Sequence, residues 1–249
     1  RKWLKKRIGN ILFFKAMVRN SAALHCLTNR EARDASTWHK EVFTVGNGVD
    51  LPSADALAQP NYGNELRLVF LGRLALHHKG LDLLIKACSL VKEELSASRA
   101  RLHIYGPDVA GSRALLEQLI TTRELQELVQ LHGPVYDRDK IQAFRNADIF
   151  VHTSRFEGHP MAVLEALSYG IPCLLTEGTN LSSEVASTGA GWEAGTSVQT
   201  IANAMEKVLK GNHDLKRMAN AARKLAEERF SWERIAQRLL RHYVEIVDG

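Results

Sequence analysis

Two carboxylates, Glu157 and Glu165, stand eight positions apart in the run Arg155-Phe-Glu157-Gly-His159-Pro160-Met-Ala-Val-Leu-Glu165-Ala-Leu-Ser-Tyr-Gly170. Pro160 belongs in a first helical turn, where its missing N–H is not needed. The apolar positions Met161, Val163, Leu164 and Leu167 then turn one face inward until Gly170-Ile171-Pro172 stops the helix. Glu157 therefore sits in the loop before the helix, and Glu165 rides on it. Were both helical, eight residues would separate them by about 12 Å of rise, too far to grip one atom and right for two ends of a long polyhydroxylated ligand. The helix N-terminus between them offers unpaired N–H groups and a positive dipole end, a seat for phosphate. Sugar, diphosphate and ribose in a row fit that geometry.

A second constellation, Phe70-Leu-Gly72-Arg73-Leu-Ala-Leu-His-His-Lys79-Gly80-Leu-Asp82, lies about 85 residues earlier. Gly72 would end a strand and let backbone approach a ligand, while Arg73 and Lys79 would place two cations at the carboxyl edge of a sheet, where open α/β sheets bind ligands. Arginine offers a planar fork of donors and lysine a point charge, and each charge-assisted bond contributes about 1.5–3 kcal/mol. The bland alternative is surface Arg and Lys paired with ordinary carboxylates. Other polar residues read as structural. His77 and His78 are adjacent, face apart on any regular element and have no third ligand nearby in sequence, so they are not a metal pair. His103 and His132 read as strand histidines, Asp82 and Asp148 as first-turn or helix-end carboxylates, and Trp192 and Trp232 as packing anchors.

The first segment resembles the E-x7-E signature of the retaining glycosyltransferases of family 4, which have the two-domain GT-B fold. The family form E-G-F-P/G-M/L-x-x-L-E-A-M/L stands here as Glu157-Gly158-His159-Pro160-Met161-Ala162-Val163-Leu164-Glu165-Ala166-Leu167, with His159 where an aromatic is usual. Gly72-Arg73 and Lys79-Gly80 match the family's G-R-x(5)-K-G motif. The resemblance implies transfer of a sugar, of hexosyl type, from a nucleoside-diphosphate sugar to an acceptor hydroxyl with retention. It implies that Arg73 and Lys79 neutralise the donor diphosphate and the charge on the leaving group, and that Glu165 binds the ribose hydroxyls. Glu157 would lie near the transferred sugar and stabilise an oxocarbenium-like transition state. Gly158, His159 and Pro160 belong to the same donor loop, and backbone N–H groups of Met161 and Ala162 would meet the phosphate. The loops at Gly106-Pro107 and Gly133-Pro134-Val135 would flank the base, and the Thr179-Asn180-Leu181 turn would lie near sugar and phosphate.

No metal or other cofactor is implied, because cationic side chains and a helix dipole take the place of a divalent ion in this family. The implied partners are the nucleoside-diphosphate sugar and an acceptor glycan or lipid-linked glycan, often in cell-envelope or exopolysaccharide synthesis. An alternative is a nucleotide-sugar-binding module without transfer activity. A nucleic-acid-binding domain has only the basic pI behind it and lacks an aromatic-rich strand motif or basic recognition helix.

The elements that must position these residues follow from composition and pattern. With 249 residues and 45% hydrophobic content, the chain can bury about 70–75% of the surface its unfolded form exposes, enough for one large domain with appendages. No apolar stretch reaches the 18 residues of a membrane span, so the chain reads as soluble. Cys26, Cys88 and Cys173 are odd in number and far apart, which points to a reducing cytoplasm. The net charge of +5 and pI near 9.2 suit an anionic partner. The opening Arg1-Lys2-Trp3-Leu4-Lys5-Lys6-Arg7, followed by Ile8, Ile11, Leu12, Phe13 and Phe14, reads as a helix packed on the protein, with peripheral membrane contact as the second reading.

From residue 65 onward a βαβ rhythm predicts an α/β fold, a Rossmann-like parallel sheet with helices on both faces. Strands are expected at Leu66–Leu74, Leu102–Tyr105, Val129–His132, Ile149–His152, Cys173–Thr176 and near Trp192. Helices are expected at Gly80–Leu95, Arg113–Leu125, Lys140–Ala147, Met161–Tyr169, 198–210, 214–229 and Trp232–Val247. In the first fifty residues, Ala22–Leu27 and Val42–Val45 read as strands and Thr28 to Glu31 as a capping box. By the resemblance, residues 1–46 are the tail of an N-terminal acceptor domain and its crossover. Residues 47–230 are the donor-binding C-terminal half of the GT-B fold, and 231–249 a helix returning toward the N-terminal domain. The chain starts at Arg1 rather than methionine and reads as a piece of a longer polypeptide, inactive in transfer alone.

Overall fold

A computed structural model describes residues 14–58, 65–211 and 213–248. The basic opening run up to Phe13 lies outside them. The chain divides into two compact units, Arg1–Gly48 with Trp232–Gly249, and Val49–Ser231.

In the smaller unit, α1 (Lys15–Asn20) precedes β1 (Leu24–Cys26), α2 (Asn29–Ala35) and β2 (Val42–Thr44), and the two strands pair in parallel. Thr28 caps α2 by accepting the Glu31 N–H at 3.2 Å. The Glu31 carboxylate reaches back to the Leu27 N–H at 2.8 Å, one residue beyond the position of a closed capping box.

The larger unit contains β3 (Leu66–Leu71), α3 (Leu81–Leu90), α4 (Lys92–Ala97), β4 (Ala100–Tyr105), α5 (Ser112–Thr122), β5 (Val129–Leu131) and α6 (Asp137–Arg145). It continues with β6 (Ile149–His152), α7 (Met161–Ser168), β7 (Cys173–Thr176), α8 (Ser182–Ser187), β8 (Gly191–Ala194), α9 (Val198–Lys210) and α10 (Leu215–Leu225). The last helix, α11 (Trp232–Asp248), belongs to the smaller unit.

Six strands form one parallel sheet in the order β5-β4-β3-β6-β7-β8. Helices cover both faces, because alternate residues of β3 feed two separate cores. Leu68 and Phe70 join Leu84, Ile104, Leu116 and Met205 on one side; Val69 joins Phe144, Phe150, Val163, Leu167 and Leu225 on the other. Every residue of β6 and β7 is buried, which is why both segments read as short continuous apolar runs. The order places the point where the chain reverses its direction of travel between β3 and β6. In open sheets of this kind, the loops at the carboxyl ends of those two strands face each other across a ligand crevice.

Several expected bounds shift. The strand expected to reach Leu74 ends at Leu71, because the chain turns over Arg73, whose carbonyl accepts the Ala75 N–H at 2.7 Å. The helix expected over Gly80–Leu95 is two, broken at the β-branched Val91, which leaves the helical region at φ −116°. The helix expected at Lys140 begins three residues earlier, at Asp137. The helix expected to run through 229 gives way after Leu225 to a wider turn over Ala226–Phe230.

Phe150 is fully buried, with ring centroids 6.0 Å from Phe144 and 5.9 Å from His152. Phe150→Ala should therefore lose about 3–5 kcal/mol in urea denaturation at unchanged m-value. A loss below about 1 kcal/mol would show that this core closes over the gap.

Candidate functional site

At the switch point, residues 77–80 of the loop after β3 are joined to residues 153–157 of the loop after β6. Thr153 Oγ1 lies 3.2 Å from the carbonyls of both Lys79 and Gly80 and donates to them. The Arg155 N–H donates to the His78 carbonyl at 3.0 Å. The Arg155 guanidinium grips Asp82 with two nitrogens at 2.7 and 2.8 Å and donates to the His77 carbonyl at 2.6 Å. His78 stacks on Phe156 with centroids 4.3 Å apart, and its Nε2 donates to the Phe156 carbonyl. Gly80 makes this approach possible. It precedes α3 at φ +63°, and a Cβ there would lie 2.0 Å from the Thr153 carbonyl oxygen.

The seam delivers Lys79 to Glu157. Glu157 Oε1 accepts from Lys79 Nζ, from Ser154 Oγ at 2.7 Å and from His152 Nε2 at 3.3 Å. The Lys79 and Glu157 side chains are each only 12% exposed. Burial by itself would raise the Glu157 carboxyl, but the bonds from His152, Lys79 and Ser154, with the Lys79 charge, outweigh it and hold the group far below the usual carboxylate range. His152 is fully buried between Phe70 and Phe150, and that burial holds its imidazole below the ordinary range. A neutral ring that donates through Nε2 carries a bare Nδ1, which has no protein partner among the described residues. The three bonds converge on Oε1, so Glu157 keeps Oε2 for another donor. Asn180, in the left-handed region at φ +60°, donates to the carbonyls of Glu157 and Gly158 at 2.5 and 3.3 Å and fixes the loop from the far side.

Helix α7 begins at Met161, with Pro160 one position before the first turn rather than inside it. The Pro160 carbonyl accepts from Val163 and Leu164, at 3.1 and 3.3 Å. The N–H groups of Met161 and Ala162 are thus the leading donors of the helix, with no acceptor in its own turns. Glu165, one turn further, accepts from Lys140 Nζ of α6 at 2.7 Å. His159 is half-buried, edge-on to Phe230 at 5.6 Å.

On the other side of β3, Gly72, Gly106 and Gly133 lie side by side along the strand ends. The Gly72 N–H donates to the Tyr105 carbonyl at 3.0 Å and the Gly106 N–H to the Gly133 carbonyl at 3.2 Å. A Cβ on Gly106 would lie 1.8 Å from the Gly72 oxygen. The Pro107 carbonyl accepts the Leu74 N–H at 2.8 Å, and Val135 is half-buried in the loop before α6. Arg73 is exposed and forms no ion pair with the described residues, while the Lys79 side chain passes within 3.9 Å of the Gly72 Cβ position.

Other residues stand apart from the site. Asp148 accepts the Arg67 N–H at 2.7 Å at the amino edge of the sheet, not at a helix end. His103 and His132 contact each other at 3.1 Å beside Tyr105. Trp192 packs edge-on against His213, and the Trp232 ring lies on Gly48. Among the described residues, no three His, Cys, Asp or Glu are grouped to hold a metal, and no helix is long and apolar enough to cross a membrane.

Sequence reasoning missed His152, Ser154, Arg155 and Lys140. The first three immediately precede Glu157, and their nearness in sequence was the available signal. Lys140 lies 25 residues from Glu165 on another helix, and no local pattern marks it.

Comparison with known proteins bears on this geometry. Residues 56–225 match the family model of glycosyl transferases group 1. The chain belongs to that family. It is 29% identical over 220 residues to mannosylfructose-phosphate synthase of Agrobacterium fabrum, covering 83% of this chain and 48% of that protein. It is 28% identical over 203 residues to the amylovoran biosynthesis glycosyltransferase AmsK of Erwinia amylovora, covering 79% and 47%. The chain thus spans about half the length of the curated relatives it matches. In three dimensions it is similar to Anabaena HepE, solved in complex with UDP and glucose, with a TM-score of 0.75 at 18% identity, covering 90% of this chain and 64% of HepE. The six-stranded sheet with its helices is half of the GT-B fold of these glycosyltransferases.

The charge state of this cluster sets an acid limit on the stability of the fold. An unfolded histidine takes up a proton below its ordinary 6.5, whereas folded His152 refuses it. Unfolded Glu157 is protonated below its ordinary 4.5, whereas the folded carboxyl stays ionised. Stability should therefore fall on acidification, first below 6.5 and more steeply below 4.5. Glu157→Gln should flatten the lower limb in denaturation midpoints read against pH. Parallel lower limbs in wild type and variant would contradict this assignment of charge.

Proposed function

We propose that the chain is the donor-binding half of a retaining glycosyltransferase, which moves a hexosyl group from a nucleoside-diphosphate sugar to an acceptor hydroxyl. The observation that carries the reading is the Glu157 carboxylate, held ionised by Lys79 at the switch point of the sheet. Retaining transfer needs negative charge beside the anomeric carbon and positive charge beside the departing phosphate, and the two lie in direct contact here.

The diphosphate lies between Arg73, Lys79 and the leading N–H groups of α7, from Met161 and Ala162. The Arg73 guanidinium, which has no ion-pair partner among the described residues, is the first cation available to it, and Lys79 bridges from Glu157 to phosphate as charge leaves with the nucleotide. Glu165 receives the ribose hydroxyls. The loops at Gly72, Gly106, Pro107 and Val135 flank the nucleotide base, largely through backbone. Glu157 Oε2 faces the transferred sugar, with Gly158, His159, Pro160 and Asn180 shaping the same loop. Residues 1–46 and 231–249 belong to the acceptor side of the enzyme, where a glycan or lipid-linked glycan docks and where peripheral membrane contact would arise. The names of the relatives, one making mannosylfructose phosphate and one serving amylovoran biosynthesis, support hexosyl transfer in glycoside or polysaccharide synthesis.

Titration calorimetry with uridine, guanosine and adenosine diphosphates in the presence of EDTA tests the reading. One of them should bind, and Arg73→Ala should weaken it by about 10- to 100-fold, the equivalent of one charge-assisted contact. In the two-domain enzyme, Glu157→Gln should lower kcat with little change in nucleotide affinity. No binding by any of the three, or binding indifferent to Arg73→Ala, would overturn the proposal.

A further inference from the structure

Both acids of the donor site carry their own lysine. Lys79 serves Glu157, and Lys140 serves Glu165 from α6, an element that neither motif includes. The Lys140 and Glu165 side chains are 33% and 24% exposed, so the pair is sheltered rather than a loose surface contact. Helix α6 starts directly after the Gly133-Pro134-Val135 loop, so Lys140 ties the element behind that loop to the helix bearing Glu165.

We infer that Lys140 is a positioning and specificity residue of the nucleotide site, which aims the Glu165 carboxylate at a vicinal diol and cancels its charge beside the diphosphate. The inference rests on the proposed role of Glu165. A carboxylate offers about four acceptor positions, and Lys140 occupies one on Oε1. The remainder suffice for both hydroxyls of a ribose, so lysine and diol share the acid and neither displaces the other. Without the lysine, the carboxylate would be free to rotate, and its full charge would oppose an anionic ligand in the same site. The site should therefore prefer a ribonucleotide over its deoxy analogue, and the preference should depend on a cation on the neighbouring helix rather than on one at the phosphates.

The test is calorimetric titration of the chain with whichever of uridine, guanosine or adenosine diphosphate binds, with its 2′-deoxy form, and with inorganic pyrophosphate. Wild type should favour the ribonucleotide by about tenfold or more, the weight of one hydrogen bond to a charged group. Lys140→Met should cut that preference to about threefold or less and weaken the ribonucleotide about tenfold, with pyrophosphate, which feels only the uncancelled charge, weakened by no more than about threefold. Lys140→Arg should restore the preference, which a merely structural role would not require, and both melting temperatures should stay within a few degrees of wild type. Glu165→Gln separates the two levels of argument. If Glu165→Gln abolishes the preference and Lys140→Met leaves it intact, the inference fails and the site reading stands. If neither changes it, Glu165 does not hold ribose and both fail. Tighter ribonucleotide binding in Lys140→Met would make Lys140 a competitor of the ligand and overturn the inference. Should Lys140→Met melt early, Lys140→Gln carries the same comparison.

Discussion

The contact between Lys79 and Glu157 is the interaction on which the site depends. Its partners lie 78 residues apart in sequence, at the ends of the two strands where the sheet changes its direction of travel. Each is largely withdrawn from water, and an uncompensated charge so placed is strongly unfavourable, so each residue enforces the position of the other. The rest of the seam serves this constraint. The Arg155–Asp82 fork, the Thr153 hydroxyl and the bare α-carbon of Gly80 hold the two loops at a distance that this ion pair, with Ser154 and His152, satisfies. Asp82 thus acts as a first-turn residue of α3 and as an anchor of the neighbouring loop.

This arrangement gives the site an unusual electrostatic economy. Two acids and two lysines cancel in pairs, His152 is kept neutral by burial, and Arg73 stands at the strand edge with no ion-pair partner among the described residues. In the proposed reading, the diphosphate of a nucleotide sugar would meet positive charge and helix N–H groups without net repulsion from the carboxylates assigned to the sugar and ribose hydroxyls. The chain spans about half the length of the curated relatives it matches, and the proposed division of labour leaves acceptor chemistry to the rest of such an enzyme.

The sheet was legible because its central strands, Ile149–His152 and Cys173–Thr176, are buried on both faces and so stand out as apolar runs between turn residues. The two ligand motifs were legible for a related reason: glycine and proline at Gly72, Gly80 and Pro160 mark where backbone must turn or approach closely. What the sequence could not display were partners whose contact depends on topology. Lys140 meets Glu165 only because α6 and α7 pack on one face of the sheet, and Arg155 meets Asp82 only because β3 and β6 are neighbours. Helix ends were harder to read for a local reason, as at Val91, where an apolar pattern compatible with one helix conceals a break.

A double-mutant cycle on Lys79→Met and Glu157→Gln, read by urea denaturation at neutral pH, tests the central claim most directly. A constraint of this kind predicts a coupling of at least about 1.5 kcal/mol, with each single variant much less stable than additivity with the double variant would require. Single-variant losses that simply add, to within about 0.3 kcal/mol, would show that the two loops are held together without the ion pair and would contradict the account.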